Sequence, residues 1–357
     1  MNPVLTIHLL IYLGGSTLVA LHHYLSPLLA SLLFFCLLLP SPFFLPQEQR
    51  LHRAITCFTT GFYFCRLSTV APSQPLWLKI AHVFGTFMDT NTIAKQGPLD
   101  VQERQQYTQQ LRHGSLYAVP FTVLVAVAHH LFTEGPLTAQ RLAVAILCAG
   151  ASSVFFLTAF GHLLIGGWGL SQHVRLPWLM RAPAMATSLR EFWGRRWNGV
   201  VQRMLKTTVY DRCAGPSSSM TRKTLASVLT FMVSGAIHAY PVYVAHVSSW
   251  HDVVAPGTLY PVLWALAYFV VQCVLMFVQD ACGPWSGGVV WQRAATMFGV
   301  VLPAPLLVVV FVALPYSPDD PVVQQCTHVV QTKAFLWAWL GVSGATSVVV
   351  GVGAELR

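Results

Sequence analysis

Charged residues in this chain are gathered into a few stretches, and long uncharged runs lie between them. Residues 1–47 contain no Asp, Glu, Lys or Arg. As one helix that run would measure about 70 Å, more than twice the ~30 Å hydrocarbon core of a bilayer. It therefore reads as two spans with a turn, which His22-His23-Tyr24-Leu25-Ser26-Pro27 supplies. Further uncharged runs cover His113–Thr133, Leu142–Val174, Thr224–His251, Val253–Gln279, Ala294–Pro318 and Ala334–Ala354, each able to hold one span, for eight in all. Ala54–Cys65 is apolar too, but its 12 residues suit an interfacial or re-entrant segment better than a span. If it crossed, the count would become nine and the N-terminus would change sides. The expected fold class is all-α: a polytopic integral membrane helical bundle of about eight (seven to nine) spans, one domain over residues 1–357.

Composition supports lipid as the main solvent. Hydrophobic residues make up 55% of the chain and charged residues 9%, whereas a soluble domain carries about 25% charged residues. Mean hydropathy is +0.58. A net charge of +9 could suggest nucleic acid, but the distribution of the basic residues points to the positive-inside rule instead. With eight spans and a cytoplasmic N-terminus, 19 of the 21 Lys and Arg fall on the inner side, leaving Arg141 and Lys333 outside. No nucleic-acid partner is expected, and the lipid bilayer is. The N-terminus lacks the basic region of a cleavable signal, so the first apolar run is read as retained. The eight cysteines show no C-x-x-C pair and no Cys/His zinc spacing; they read as free thiols, and no metal site is expected.

One stretch stands apart. Residues 168–223, expected to form a cytoplasmic basic loop, hold ten Lys and Arg against two acids, with Trp168, Trp178, Trp193 and Trp197 among them. Within it lies Ser188-Leu-Arg-Glu-Phe-Trp-Gly-Arg-Arg-Trp-Asn198. As an α-helix this block would pair Glu191 with Arg195 at i,i+4, put Asn198 on the same face, and set Trp193 and Trp197 on another. That pattern suits a juxtamembrane amphipathic helix, with tryptophans in the headgroup layer. It also suits a cationic platform for a polyanionic cofactor.

The second candidate is Phe231-Met-Val-Ser-Gly-Ala-Ile-His238-Ala-Tyr-Pro241. Counted from Thr224, His238 would lie about 21 Å into a helix. At that depth an imidazole needs a partner or a wet cavity, so it is a functional candidate by default. Ser234, Gly235 and Ala236 permit close approach by a neighbour. Pro241 removes the hydrogen bond to the Ile237 carbonyl. His162, in Phe160-Gly-His-Leu-Leu-Ile-Gly-Gly167, is a similar candidate; His8, His129 and His130 are weaker ones near span ends.

The block Ser188–Asn198 resembles the Arg-(Asp/Glu)-Phe-Trp-Gly-Arg-Arg-Trp-(Asn/His) signature of the wax-synthase-like domain in the membrane-bound O-acyltransferase superfamily. Ser-Gly-Ala-Ile-His238 is similar to that family's Ser-Gly-x-x-His element one span later. The likeness extends in particular to fungal members that acetylate hydroxyls of terpenoid and meroterpenoid metabolites. The resemblance implies an endoplasmic-reticulum, multi-pass enzyme with acetyl-CoA as co-substrate, a hydrophobic alcohol as acceptor and no permanently bound cofactor. It assigns catalysis to His238 and Asn198, with His162 structural. Arg195, Arg196, Trp193 and Trp197 become the residues expected to bind the donor. Acyl transfer to an alcohol needs a base for the hydroxyl proton, which a neutral His238 can be. No nucleophile with a base partner is evident, so direct transfer in a ternary complex is expected.

Other classes fit less well. Asp319-Asp320 is the only adjacent acidic pair, too little for a magnesium-dependent prenyltransferase. A membrane terpene cyclase would want acids in its spans, and only Asp280 is near one. A transporter would show matching interruptions in two halves, and a wax-ester synthase would share the motifs but take a long-chain donor. The His-x-x-x-Asp motif of soluble acyltransferases is absent.

Overall fold

The computed structural model describes residues 3–21, 41–45, 50–67, 99–172, 179–215, 219–247, 256–283 and 288–307, with isolated positions between 29 and 83 and between 328 and 343. Its principal helices are α1 (Pro3–Leu21), α2 (Arg50–Leu67), α3 (Val101–Thr133), α4 (Ala139–Gln172), α5 (Gly199–Leu205), α6 (Met220–His246), α7 (Pro256–Cys282) and α8 (Gly288–Val301). There is no strand among the described residues. Among the described residues, four segments are long and apolar enough to cross a membrane: Val101–Thr133, Ala139–Ser171, Met220–Ala245 and Val262–Cys282. They coincide with four of the uncharged runs. The expected span in the second half of the first run lies almost wholly outside the described residues, as do Ala334–Ala354 and the end of Ala294–Pro318.

The chain divides into two compact units, residues 1–95 with 203–270 and residues 96–202 with 271–357. In the first, α1, α2 and residues between them share a core that includes Ile7, Ile11, Leu18, Val19, Tyr63 and Leu67. The segment read as interfacial is part of α2, an 18-residue helix whose Arg53 and Arg66 are buried. The Arg53 guanidinium donates to the carbonyls of Leu45 at 2.8 Å, Val247 at 2.8 Å and Phe43 at 3.4 Å. Because Val247 caps the C-terminus of α6, this buried cation ties the end of that helix to α2 and meets carbonyls the last turn leaves open.

In the second unit α3 and α4 form a helical hairpin. Asp100 and Glu103 start α3 with a reciprocal capping box: the Glu103 N–H donates to Asp100 at 2.8 Å and the Asp100 N–H to Glu103 at 3.0 Å. Arg141 closes the turn by donating to the carbonyls of Leu131 at 2.8 Å and His130 at 3.0 Å. The two helices approach closely at Gly166, where an added Cβ would lie 2.9 Å from the Tyr107 carbonyl oxygen.

Within the basic stretch expected to be a loop, many of the described residues are helical. Trp168–Gln172 continue α4, Met220–Lys223 open α6, and short helices occupy much of the interval. Helix α6 begins earlier than Thr224 because Ser219 caps it, its hydroxyl accepting from the Arg222 N–H at 3.4 Å.

Candidate functional site

Two local arrangements carry the expected site residues, one in each unit. In the first unit His238 sits in α6, about 27 Å from the helix start at 1.5 Å per residue. Its Nδ1–H donates to the Ser234 carbonyl one turn back, at 2.7 Å. A proton held there on Nδ1 leaves the basic lone pair on Nε2, the state a general base requires. The ring lies against Phe269 of α7, centroids 4.6 Å apart. Gly235 makes room for that contact, since an added Cβ would come within 3.3 Å of the Leu266 and Phe269 side chains. Pro241 is accommodated inside the helix. Nearby Cys57 is buried, with its thiol hydrogen-bonded to Tyr240.

In the second unit the motif block departs from a plain α-helix. Ser188 caps a single turn, Leu189–Glu191, its hydroxyl accepting from the Glu191 N–H at 3.1 Å. Phe192–Arg196 then form a π-turn, closed by the Trp197 N–H donating to the Phe192 carbonyl at 2.9 Å. A π-turn aligns residues five apart rather than four. Glu191 consequently pairs with Arg196, at 2.7 Å, and the expected Glu191–Arg195 pair does not form. Arg196 also donates to the carbonyls of Arg181 at 3.1 Å and Ala182 at 3.3 Å. Partial burial works to raise the Glu191 carboxyl. Hydrogen bonds from Thr187 and Arg196 outweigh it and hold Glu191 below the usual carboxylate range. Arg196 is thus a structural clasp of the block.

Arg195 differs. It is exposed, with no hydrogen-bond or ion-pair partner among the described residues. Beside it, a Cβ added at Gly194 would meet nothing within 4 Å. The aromatic expectation holds in part: Trp193 and Trp197 lie edge to face at 6.0 Å, and both contact buried Phe192, at 5.0 and 5.4 Å.

Asn198 does not continue the helix face of Arg195. Trp197 is extended and Asn198 adopts a left-handed φ of +39°, a conformation that asparagine tolerates better than most residues. Its side-chain oxygen accepts from the Val201 N–H at 3.3 Å, capping α5. The structure therefore brings Trp193, Arg195, Arg196, Trp197 and Asn198 together in the second unit and places His238 in the first. His162, in α4, hydrogen-bonds through Nδ1 to the Gln110 side chain of α3 and stacks on Tyr117 at 5.5 Å. It is held by its helical neighbour, as a structural histidine would be.

Three polar residues of α7 escaped the sequence reading. Gln272 accepts from the Trp193 indole N–H at 3.1 Å, and Gln279 accepts from the Leu189 N–H at 2.6 Å. Asp280, considered above only as a possible cyclase acid, pairs with Arg190, whose Nε donates to it at 3.0 Å. A heptad spacing of glutamines in an apolar span was the available signal.

Residues 176–271 match the Membrane bound O-acyl transferase family, and that stretch contains the motif block, Asn198 and His238. The chain is 43% identical over 60 residues to probable long-chain-alcohol O-fatty-acyltransferase 9 of Arabidopsis thaliana, 16% of this chain and 18% of that protein. It is 45% identical over 62 residues to acyl-CoA–sterol O-acyltransferase 1 of the same plant, 16% of this chain and 17% of that protein. With probable long-chain-alcohol O-fatty-acyltransferase 7 the identity is 29% over 151 residues, 38% of this chain and 41% of that protein. The matched stretch is under a fifth of the first two relatives and about two-fifths of the third.

Proposed function

We propose that this chain is an acyl-CoA-dependent O-acyltransferase of the membrane, acting on the hydroxyl of a hydrophobic alcohol. The observation that carries the reading is His238: an imidazole deep in a span, its proton held on Nδ1 by the Ser234 carbonyl, within a stretch that matches an O-acyltransferase family. In the reaction the acceptor hydroxyl attacks the thioester carbonyl while His238 Nε2 takes its proton. The C–S bond then breaks, and the proton passes to the departing coenzyme A thiolate. Asn198 is the companion residue, orienting the reactants or donating its amide to the developing oxyanion. Trp193, Trp197 and Arg195 form the donor platform on the cytoplasmic side, within a single domain over residues 1–357.

The finer reading is an acetyl donor and a terpenoid or meroterpenoid acceptor in the endoplasmic reticulum, as the resemblance to fungal acetyltransferases implies. A long-chain donor is the second reading, favoured by the fatty-acyl names of the plant relatives. Microsomes containing the protein, given labelled acetyl-CoA or palmitoyl-CoA with a panel of terpenoid alcohols, sterols and fatty alcohols, should form labelled ester. Which thioester is consumed chooses between the readings. Label entering no alcohol from either donor would sink both.

The geometry separates the two arginines. Arg195→Gln should raise the donor's apparent KM about tenfold, as loss of one charge-assisted hydrogen bond to a phosphate would, with protein abundance unchanged. Arg196→Gln should instead lower abundance in the membrane, because it opens the Glu191 clasp. Immunoblots and donor titrations of the two variants test this, and an unchanged donor KM in Arg195→Gln would remove it from the platform.

A further inference from the structure

We propose that Gln272 is the positioning residue of the donor platform, its carboxamide fixing the Trp193 indole against the helix break at Pro303. The inference rests on the acyl-transfer reading for its consequence, and on the second unit alone for its geometry. Gln272 is fully buried in mid-α7, where an amide is costly unless each polar atom is met. Its oxygen accepts from the Trp193 indole N–H at 3.1 Å. Its nitrogen donates to the carbonyls of Gly299 at 3.2 Å and Val300 at 3.0 Å.

The Gly299 carbonyl is open for a sequence reason. Helix α8 ends at Val301, and residues 302–303 form a turn before helix resumes at 304. Pro303, four residues beyond Gly299, has no N–H to give it. Gln272 supplies the missing donor. The indole N–H can only donate, so the same side chain must offer an acceptor as well. Leucine offers neither group, methionine has no donor and only a weakly accepting thioether, and an ionised glutamate has no donor for the carbonyls.

The rest of the α7 face fixes the same block. Seven residues on, Gln279 holds the Leu189 N–H, and Asp280 holds Arg190. Leu189 in turn packs against Gly299, where an added Cβ would come within 3.2 Å of it. Trp193 is thereby anchored both through the start of its own block and through its indole. Loss of the carboxamide removes the hold on the indole N–H that fixes the ring's orientation against Trp197. Donor binding weakens, while the base on His238 is untouched.

The test compares wild type, Gln272→Met, Trp193→Phe and the double variant in microsomes, with whichever of acetyl-CoA and palmitoyl-CoA the wild type uses. Gln272→Met should raise the acyl-CoA KM about tenfold, the effect of one buried hydrogen bond to a ligand-positioning group. Its kcat and alcohol KM should stay within about twofold. In the Trp193→Phe background the same substitution should add less than about twofold, because the two residues act as one. A lowered kcat with unmoved donor KM, or a full tenfold step in the double variant, overturns the proposal. Should Gln272→Met not accumulate, the indole N–H resonance of Trp193 decides, assigned by its absence from Trp193→Phe. Slow hydrogen exchange supports the bond to Gln272, and solvent-like exchange overturns it. A wild type inactive with every donor sinks the acyl-transfer reading and this proposal together; an active wild type with an unmoved donor KM in Gln272→Met sinks this proposal alone.

Discussion

His238→Ala should lose at least about 100-fold in kcat, the lower end of what a general base contributes, while the membrane keeps nearly the wild-type amount of protein. The two halves of that expectation have separate causes. Catalysis needs the Nε2 lone pair, which the Nδ1–Ser234 hydrogen bond makes available. The ring's Nδ1 bond lies within its own helix and its face packs on Phe269, and alanine is the residue that best preserves the helix itself. Donor binding should persist, because the platform residues lie elsewhere in the chain. His162→Ala is the internal control, with the opposite profile. It strips the partner from Gln110, which is buried, and an unsatisfied buried amide costs about 1–3 kcal/mol. Abundance should fall, while turnover per surviving molecule should remain near wild type. Steady-state kinetics normalised to immunoblotted protein distinguish the cases. A dead His162→Ala beside a normal His238→Ala would reverse the assignment.

The long helices were legible because the bilayer imposes a simple rule: no charge for about 20 residues. The four described crossing helices answer to runs drawn on that rule alone. The same rule hid Gln272 and Gln279, which carry no charge and pass as neutral filler in a count of Asp, Glu, Lys and Arg. Only helical spacing marks them, as two amides seven apart on one face. The motif block was legible in composition but not in register. An α-helical reading pairs Glu191 with Arg195, and the π-turn moves the partner to Arg196. A second π-turn, Lys206–Tyr210, carries an ion pair with the same five-residue spacing, Lys206 to Asp211 at 2.7 Å. Opposite charges five apart are thus a mark of this local geometry, unreadable from i,i+4 rules. Arg196 takes on a structural contact for the same reason: its side chain closes the turn on Glu191, whereas Arg195 stays exposed.

Asn198 should separate a structural duty from a catalytic one when three substitutions are compared. Its side-chain oxygen caps α5 through the Val201 N–H, and its backbone is left-handed. Alanine loses both advantages: the cap costs about 1 kcal/mol, and a left-handed alanine roughly 1–2 kcal/mol more. Asn198→Ala should therefore be depleted in the membrane as well as slow, and its activity alone says little. Glycine adopts the left-handed conformation freely and gives up only a few tenths of a kcal/mol at an N-cap, so Asn198→Gly should accumulate normally. Aspartate keeps an acceptor for Val201 but replaces the amide donor with a carboxylate. If the amide hydrogens meet the developing oxyanion, Asn198→Gly and Asn198→Asp should each lose about 10²–10³ in kcat at nearly wild-type abundance, the scale for one oxyanion donor. Aspartate should be the slower of the two, since its negative charge opposes the one forming on the substrate. Wild-type turnover in Asn198→Gly would reduce Asn198 to a cap and leave His238 as the sole catalytic residue assigned to this chain.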